Sequence, residues 1–303
     1  MLSGLTRVLA TGALLVTVAG CSASIPPPDA APTPSPAPVT TTAAADAAPT
    51  SVVLPYVPDD TAVLTVTDWG RIALQLGIDL SSSLPPTERA DFWRRAATET
   101  AELSPGVLRP DETTLLGRYG FGAEDVSWEA ELFDAAGTRT GLVLAFRDGV
   151  DMTQVQKAVR AGVGALAGGQ VVDGTIVVVG DLPDPDASWA ADPELAQLIG
   201  PSANAVYLQR GCVQPAGATP RLQTLDAYSL DFQGGLATAR LGVDRDDLFT
   251  RLHLGDTVAD FTRAFAQGVA DPATGRIGYQ LIDPVAGAQL ALSQELPFAS
   301  CWP

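Results

Sequence analysis

Two stretches of this chain show the same order of secondary-structure signals, and that order limits the folds the chain can adopt. In the first stretch, near 127–180, residues 127–133 and 140–146 indicate two strands joined by the turn sequence Ala-Ala-Gly. An amphipathic helical pattern follows over 152–166, and the β-branched run 175–180 then indicates a buried strand. The order is hairpin, helix, strand.

The second stretch, near 226–292, repeats this order. Residues 227–232 and 237–243 indicate a hairpin that turns at a Gly-Gly pair. A helical region is expected over 248–269, and strands are expected at 276–282 and 288–292. The two stretches share little residue identity, so the repetition is one of pattern.

These patterns predict an α+β fold with antiparallel sheet and helices on one face. Hairpins pair antiparallel strands, and neither stretch shows the strict alternation of strand and helix that a parallel sheet requires. The folded part is expected to span 59–303. The repetition leaves two alternatives open, a single sheet or two lobes at 59–182 and 183–303.

The first residues carry the signals of an exported chain. Arg7 supplies a positive charge, residues 8–18 form a short apolar run, and Val18-Ala19-Gly20-Cys21 ends that run. This motif resembles the lipobox of bacterial lipoprotein precursors. The resemblance implies a signal peptide at 1–20, cleavage before Cys21, lipidation of Cys21, and a location at the extracytoplasmic face of the cell membrane.

Residues 21–58 are expected to be a disordered tether behind the lipidated cysteine. The segment is dominated by Pro, Ala and Thr, including Pro26-Pro27-Pro28. Such a composition offers too few bulky apolar side chains to offset the entropy of ordering the chain. Its prolines favour extended conformations, which makes the segment a spacer between membrane and domain.

Charge and residue usage narrow the partners. The chain has 18 basic and 35 acidic side chains, a net charge of −17, which argues against nucleic acid as a ligand. Lys157, Asn204 and His253 are each the only residue of their type. With the lipobox and the tether, this usage is similar to that of lipoproteins from mycobacteria and related actinobacteria. The resemblance does not extend to a defined function for the folded part.

Two cysteines remain beyond the lipobox. In an exported domain, Cys212 and Cys301 are most simply a disulfide. Free thiols and a metal pair are the alternatives, and the chain has no CxxC motif or Cys/His cluster to favour a metal. We expect no metal site and no cofactor.

No catalytic set is evident from the sequence. His253 and Lys157 lie in polar helical stretches and are expected at the surface, without a paired nucleophile. Glu129 and Glu131 alternate with apolar residues and are expected on the solvent side of a strand. The acidic run 244–247 is interpreted as a helix start, and the calcium-like pattern at 184–188 lacks its glycine and its final carboxylate.

The sequence therefore favours a non-enzymatic binding or accessory lipoprotein. It would be attached to the membrane through its lipidated N-terminus, and its partner would be an envelope lipid, a glycan or a protein. Any small-molecule site is expected between the sheet and the helices at 152–166 and 248–269. Two alternatives stay open: a carboxylate-dependent cell-wall hydrolase and a periplasmic solute receptor. Trp189, in a polar segment, is a candidate contact residue, although core packing is the simpler interpretation.

Overall fold

The structure, a computed structural model, describes residues 48–215 and 220–302. Ten strands within these ranges form one sheet. The strands are β1 (Val63–Asp68), β2 (Val126–Phe133), β3 (Arg139–Phe146), β4 (Gly169–Val172), β5 (Ile176–Val179), β6 (Ala205–Arg210), β7 (Ala227–Gln233), β8 (Leu236–Arg240), β9 (Phe265–Asp271) and β10 (Arg276–Leu281). Cys21 and the lipobox lie outside the described residues.

The strand order across the sheet is β4-β5-β3-β2-β1-β6-β7-β8-β10-β9, and every neighbouring pair is antiparallel. From the centre outward, the first half runs β1-β2-β3-β5-β4 and the second half runs β6-β7-β8-β10-β9. The two halves thus repeat one topology, joined where β1 pairs with β6. The predicted α+β fold is confirmed, and the repeated pattern of the sequence corresponds to two halves of one continuous sheet.

Nine α-helices accompany the sheet in the described part of the chain. They are α1 (Pro49–Val53), α2 (Trp69–Leu76), α3 (Pro86–Glu99), α4 (Glu112–Tyr119), α5 (Met152–Arg160), α6 (Pro193–Gln197), α7 (Leu248–His253), α8 (Ala259–Ala264) and α9 (Pro284–Leu292). On one face of the sheet, α2 to α5 pack on the first half and α7 to α9 pack on the second. Each group closes its own apolar core, because strand residues alternate between the two faces.

The opposite face of the first half is covered as well. Val53 and Trp189 are fully buried there against Leu64 and Trp128 of the central strands. The short helices α1 and α6 supply part of this cover, so helices are not confined to one face. The cover also shows that order begins before residue 59. Residues 49–58, expected within the tether, are folded and bury Val57 in the core.

Two segments differ from the sequence prediction. Residues 288–292 belong to α9, whose N-cap Asp283 accepts a hydrogen bond from the Ala286 amide and whose first position is Pro284. Five of its nine residues are buried, and a short apolar run cannot distinguish such a helix from a buried strand. The helix expected through 269 ends at Ala264, and β9 follows as an edge strand of alternating exposure.

Candidate functional site

The C-terminal segment is fixed to the body of the domain by the predicted disulfide. Cys212, two residues beyond β6, is bonded to Cys301, and their Cα atoms lie 5.1 Å apart. Main-chain hydrogen bonds support the covalent link: the Val213 amide donates to Ala299 O at 2.9 Å, and the Cys301 amide donates to Val213 O at 2.8 Å. Closing a loop of this size contributes about 4–5 kcal/mol in the chain-entropy model.

A buried arginine fixes the same segment from inside. Arg251 of α7 has no exposed surface. Its guanidinium donates to Phe298 O at 2.8 Å, to Ser300 O at 2.9 Å, to Gln223 O at 2.8 Å and to Asp247 Oδ2 at 2.8 Å. Burial lowers the pKa of Arg251, and the Asp247 carboxylate opposes that shift. The guanidinium therefore stays charged and paired, and the C-terminal segment is held in one conformation.

A groove of about 500 Å³ lies beside this segment, which we call the C-terminal groove. It is framed by the connection between α7 and α8, the end of α9 and the two segments that the disulfide links, 213–215 and 296–300. Its apolar walls are Val213, Pro215, Leu254, Val258, Leu290, Leu296 and Pro297. Among the described residues lining it, the charged ones are Asp260 and Glu295, both acidic. The described lining thus combines apolar and polar side chains and includes no lysine or arginine, although Arg263 pairs with Asp260 from outside the lining.

A second cavity, of about 450 Å³, lies on the opposite face of the sheet. Leu132, Val143 and Val178 form its floor, and Asp59, Asp60, Asp134 and Asp181 stand among its lining residues. Its aspartates give it a negative potential, and the described structure places no cation in its lining. The C-terminal groove has the larger apolar wall and is the better candidate for an apolar ligand.

The expected site between helices and sheet differs from what the structure shows. The apolar residues of α5 that face the sheet, Val155 and Val159, are buried in the first core, and Leu248 and Phe261 of α7 and α8 are buried in the second. These side chains fill the space that a ligand would need. The candidate groove instead opens at the side of the helical layer.

Glu129 and Glu131 are buried, which corrects the prediction that they face solvent. Glu129 is 1 % exposed and Glu131 is 8 % exposed. Both point to the helical face, where they lie opposite Thr67 and Thr65 of β1 in the strand register. The Glu129 carboxylate accepts a hydrogen bond from the Val107 amide at 3.2 Å, and Glu131 pairs with Arg139 at 2.8 Å.

Burial dominates the electrostatics of this carboxylate cluster. Removal from water raises the pKa of Glu129 to about 7, against the lowering effect of hydrogen bonds from Ser104 and Val107. The nearby Glu102 also has its pKa raised to about 7, mainly by burial. A raised carboxyl pKa is what general acid catalysis uses, but Glu129 is covered in this conformation and a substrate would have no contact with it.

The other candidate residues lie apart from one another. The His253 ring on α7 is exposed, and its Nδ1 lies 2.8 Å from Asp256 Oδ2. Lys157 lies on α5, which packs against the other half of the sheet. The Asp247 carboxylate forms ion pairs with Arg245 and Arg251. Within the described residues, no group of three or more acidic, His or Cys side chains is placed to hold a metal ion. Trp189 is part of the core.

Comparison with known proteins does not assign this chain to a family. No protein family and no curated protein matches this chain. One solved structure, "Structure of crystal form III of TP0453", covers 79 % of this chain and 97 % of its own, at 9 % identity and a TM-score of 0.33. A likeness of that size carries no functional argument. The structure also has no helix, within the described ranges, that is long and apolar enough to cross a membrane.

Proposed function

We propose that the protein is a lipid-anchored envelope protein that binds the apolar chain of an uncharged lipid in its C-terminal groove. The observation that carries this proposal is the groove itself, about 500 Å³ in volume and walled mainly by apolar side chains. Its volume lies within the range of about 300–1,000 Å³ that small-molecule sites occupy.

The groove walls suit an apolar ligand better than a charged one. Burying apolar surface yields roughly 25 cal/mol per Å², so Val213, Leu254 and Leu290 favour hydrocarbon. A phosphate or carboxylate headgroup would meet the carboxylates of Asp260, which pairs with Arg263 at 3.5 Å, and Glu295, and no lysine or arginine stands among the described lining residues. An uncharged lipid avoids that repulsion.

Rigidity supports binding as the role of this groove. The wall formed by 296–301 is held by the disulfide and by two hydrogen bonds from Arg251. A wall that is already ordered loses little conformational entropy when a ligand arrives. The lipobox-like motif at Cys21 and the Pro-rich segment behind it would keep such a domain within reach of the membrane that supplies its ligand.

A charge placed inside the groove tests the proposal. Val258 is 38 % exposed and occupies the N-cap of α8, a position where aspartate is favourable, so Val258→Asp should preserve the fold. The matched control is Val243→Asp, because Val243 is 50 % exposed and lies outside the groove. Protein that begins at Ser22 would be titrated with the uncharged fluorophore N-phenyl-1-naphthylamine.

Binding should weaken about tenfold in Val258→Asp, which corresponds to 1.4 kcal/mol, and stay unchanged in Val243→Asp. Native mass spectrometry after incubation with total envelope lipid should show an uncharged lipid bound to the wild type. Absence of probe binding, equal binding by both variants, or retention of anionic lipids alone would contradict the proposal. In that case the simpler hypothesis is that the groove binds a protein partner.

A further inference from the structure

Trp302 differs from every other tryptophan of the chain. Its side chain is 52 % exposed, whereas Trp69, Trp93, Trp128 and Trp189 are at most 7 % exposed. The Arg221 guanidinium lies over one face of its ring, with the guanidinium carbon 5.4 Å from the ring centroid, and the other face is left for a ligand. An exposed indole offers a rigid apolar surface with a polar N–H group, which a ligand can cover.

An open groove of about 560 Å³ runs beside this ring, separate from the C-terminal groove. We call it the Trp302 groove. The segment 221–224 forms one side and the start of α7 forms the other, where Asp246 and Thr250 stand. Both sides present polar side chains.

The floor of the Trp302 groove is highly ordered. Asp247 is 6 % exposed and accepts hydrogen bonds from the Gln223 amide at 2.9 Å, from Arg251 Nε at 2.8 Å and from Arg245 Nε at 2.9 Å. The Asp246 amide donates to Gln223 Oε1 at 2.9 Å, which ties the two sides together. Trp302 itself follows the disulfide-bonded Cys301.

The groups around the ring are of mixed polarity and balanced charge. Arg221 is a donor, Asp246 is an acceptor, and the hydroxyls of Thr224 and Thr250 can do both. The charges of the two exposed lining residues, Arg221 and Asp246, cancel, whereas Asp247 is buried and held by Arg245 and Arg251, which do not line the groove. Among the exposed side chains of the groove, an anionic or cationic ligand would find no excess of opposite charge, and a purely apolar ligand would leave the polar walls unpaired.

We propose that the Trp302 groove binds a neutral saccharide. A pyranose ring has an apolar C–H face that can cover the indole, and hydroxyls at its edge that both donate and accept hydrogen bonds. The indole and the side chains of Arg221, Asp246 and Thr250 offer the complementary pattern. This inference is independent of lipid binding in the C-terminal groove, because the two grooves share no lining residue.

Fluorescence gives a direct test, since Trp302 is the one tryptophan that solvent reaches freely. Protein beginning at Ser22 would be screened on an array of neutral and charged oligosaccharides. The neutral glycans that bind would then be titrated in solution, in the presence of iodide as a quencher. Binding should shield Trp302 and reduce iodide quenching, with little dependence on salt.

Four variants distinguish specific binding in the Trp302 groove from non-specific binding elsewhere. Trp302→Ala should weaken binding at least tenfold, and Trp302→Phe should restore part of it because a phenyl ring retains an apolar face. Thr250→Ala should cost a smaller factor. Phe249→Ala is the matched control, because Phe249 is 56 % exposed on the same helix and does not line the groove.

Thermal unfolding of each variant would establish that the fold is kept. Three results would overturn the proposal: no neutral glycan bound, binding that Trp302→Ala leaves unchanged, or binding confined to charged glycans and abolished by salt. A protein partner that Trp302→Ala releases while no glycan binds would assign the groove to a protein interface instead.

Discussion

At the scale of single residues, β2 carries two glutamates, Glu129 and Glu131, on a face of the sheet that is shielded from water. Trp128, Ala130 and Leu132 face one side of the sheet and Glu129 faces the other. In a sheet covered on one side, the polar set would meet water. Here β2 lies inside a sheet whose first half is covered on both faces, and only the position of the strand in the assembled sheet could reveal that burial.

The buried Glu129 predicts an unusual dependence of stability on pH. Its native pKa of about 7 lies above the ordinary 4.5, so between these values the native state holds more protons than the unfolded state. Stability from this group is complete below about pH 4.5 and is lost as the pH rises toward 7. We expect Glu129→Gln, which cannot ionise, to remove that loss, by an amount of roughly 1–3 kcal/mol at pH 8.

Urea unfolding at pH 5 and pH 8 would measure this difference. The exposed Glu88 supplies the control variant Glu88→Gln. Burial also raises the pKa of Glu102, so part of the wild-type loss of stability between pH 5 and pH 8 should remain in Glu129→Gln. If Glu129→Gln and the wild type lose the same stability between the two pH values, then Glu129 is not the protonated group that the structure indicates.

At the scale of secondary-structure elements, the sequence predicts the elements that local residue patterns define. It does not predict the strands that form only by pairing with other strands. The hairpins β2–β3 and β7–β8 follow from alternating polar and apolar residues along the strands and from glycine turns between them. By contrast, β4, β6 and β9 were not predicted as strands. The first is four residues long, and β9 lies at the edge of the sheet with a register shift opposite Gly278 and Gln280. Partner strands, more than local preference, define such elements.

Arg251 supplies the side-chain hydrogen bonds from α7 to the C-terminal segment, which makes its contribution testable. Arg251→Met keeps most of the apolar volume but leaves Asp247 with one arginine fewer and the carbonyls of Phe298 and Ser300 without their donor. Breaking a buried pair of this kind costs about 3–5 kcal/mol. The same substitution at Arg263, which is 60 % exposed, should cost less than about 1 kcal/mol.

Chemical denaturation would give the free energy of unfolding for both variants, and limited proteolysis would report on the C-terminal segment. Arg251→Met should also weaken probe binding in the C-terminal groove, because one wall of that groove loses two of its supports. Equal stability of Arg251→Met and Arg263→Met would show that the buried guanidinium is not what holds the segment.

At the scale of the whole molecule, the sequence indicated the fold class, the order of the repeated pattern and the disulfide, each from a signal with a defined physical basis. The location of the grooves was not accessible in that way. The C-terminal groove is assembled from residues near 213, 254, 290 and 297, and the Trp302 groove from residues near 222, 248 and 302. Neither forms a motif, because each is brought together only when the second half of the sheet, its helices and the disulfide are in place.

The last prediction concerns how the whole chain meets the membrane. If Cys21 is lipidated, the mature protein should begin at that residue and sediment with membranes, since two acyl chains together hold a protein stably while one holds it only marginally. Cys21→Ala removes the acceptor, so intact-mass analysis should show a precursor that retains residues 1–20 and carries no lipid. Ser22→Ala, which changes the neighbouring residue, should be processed and lipidated as the wild type. Finding an unmodified cysteine at position 21, or cleavage at another bond, would remove the anchor from the proposed function and leave both grooves to be tested on an unanchored domain.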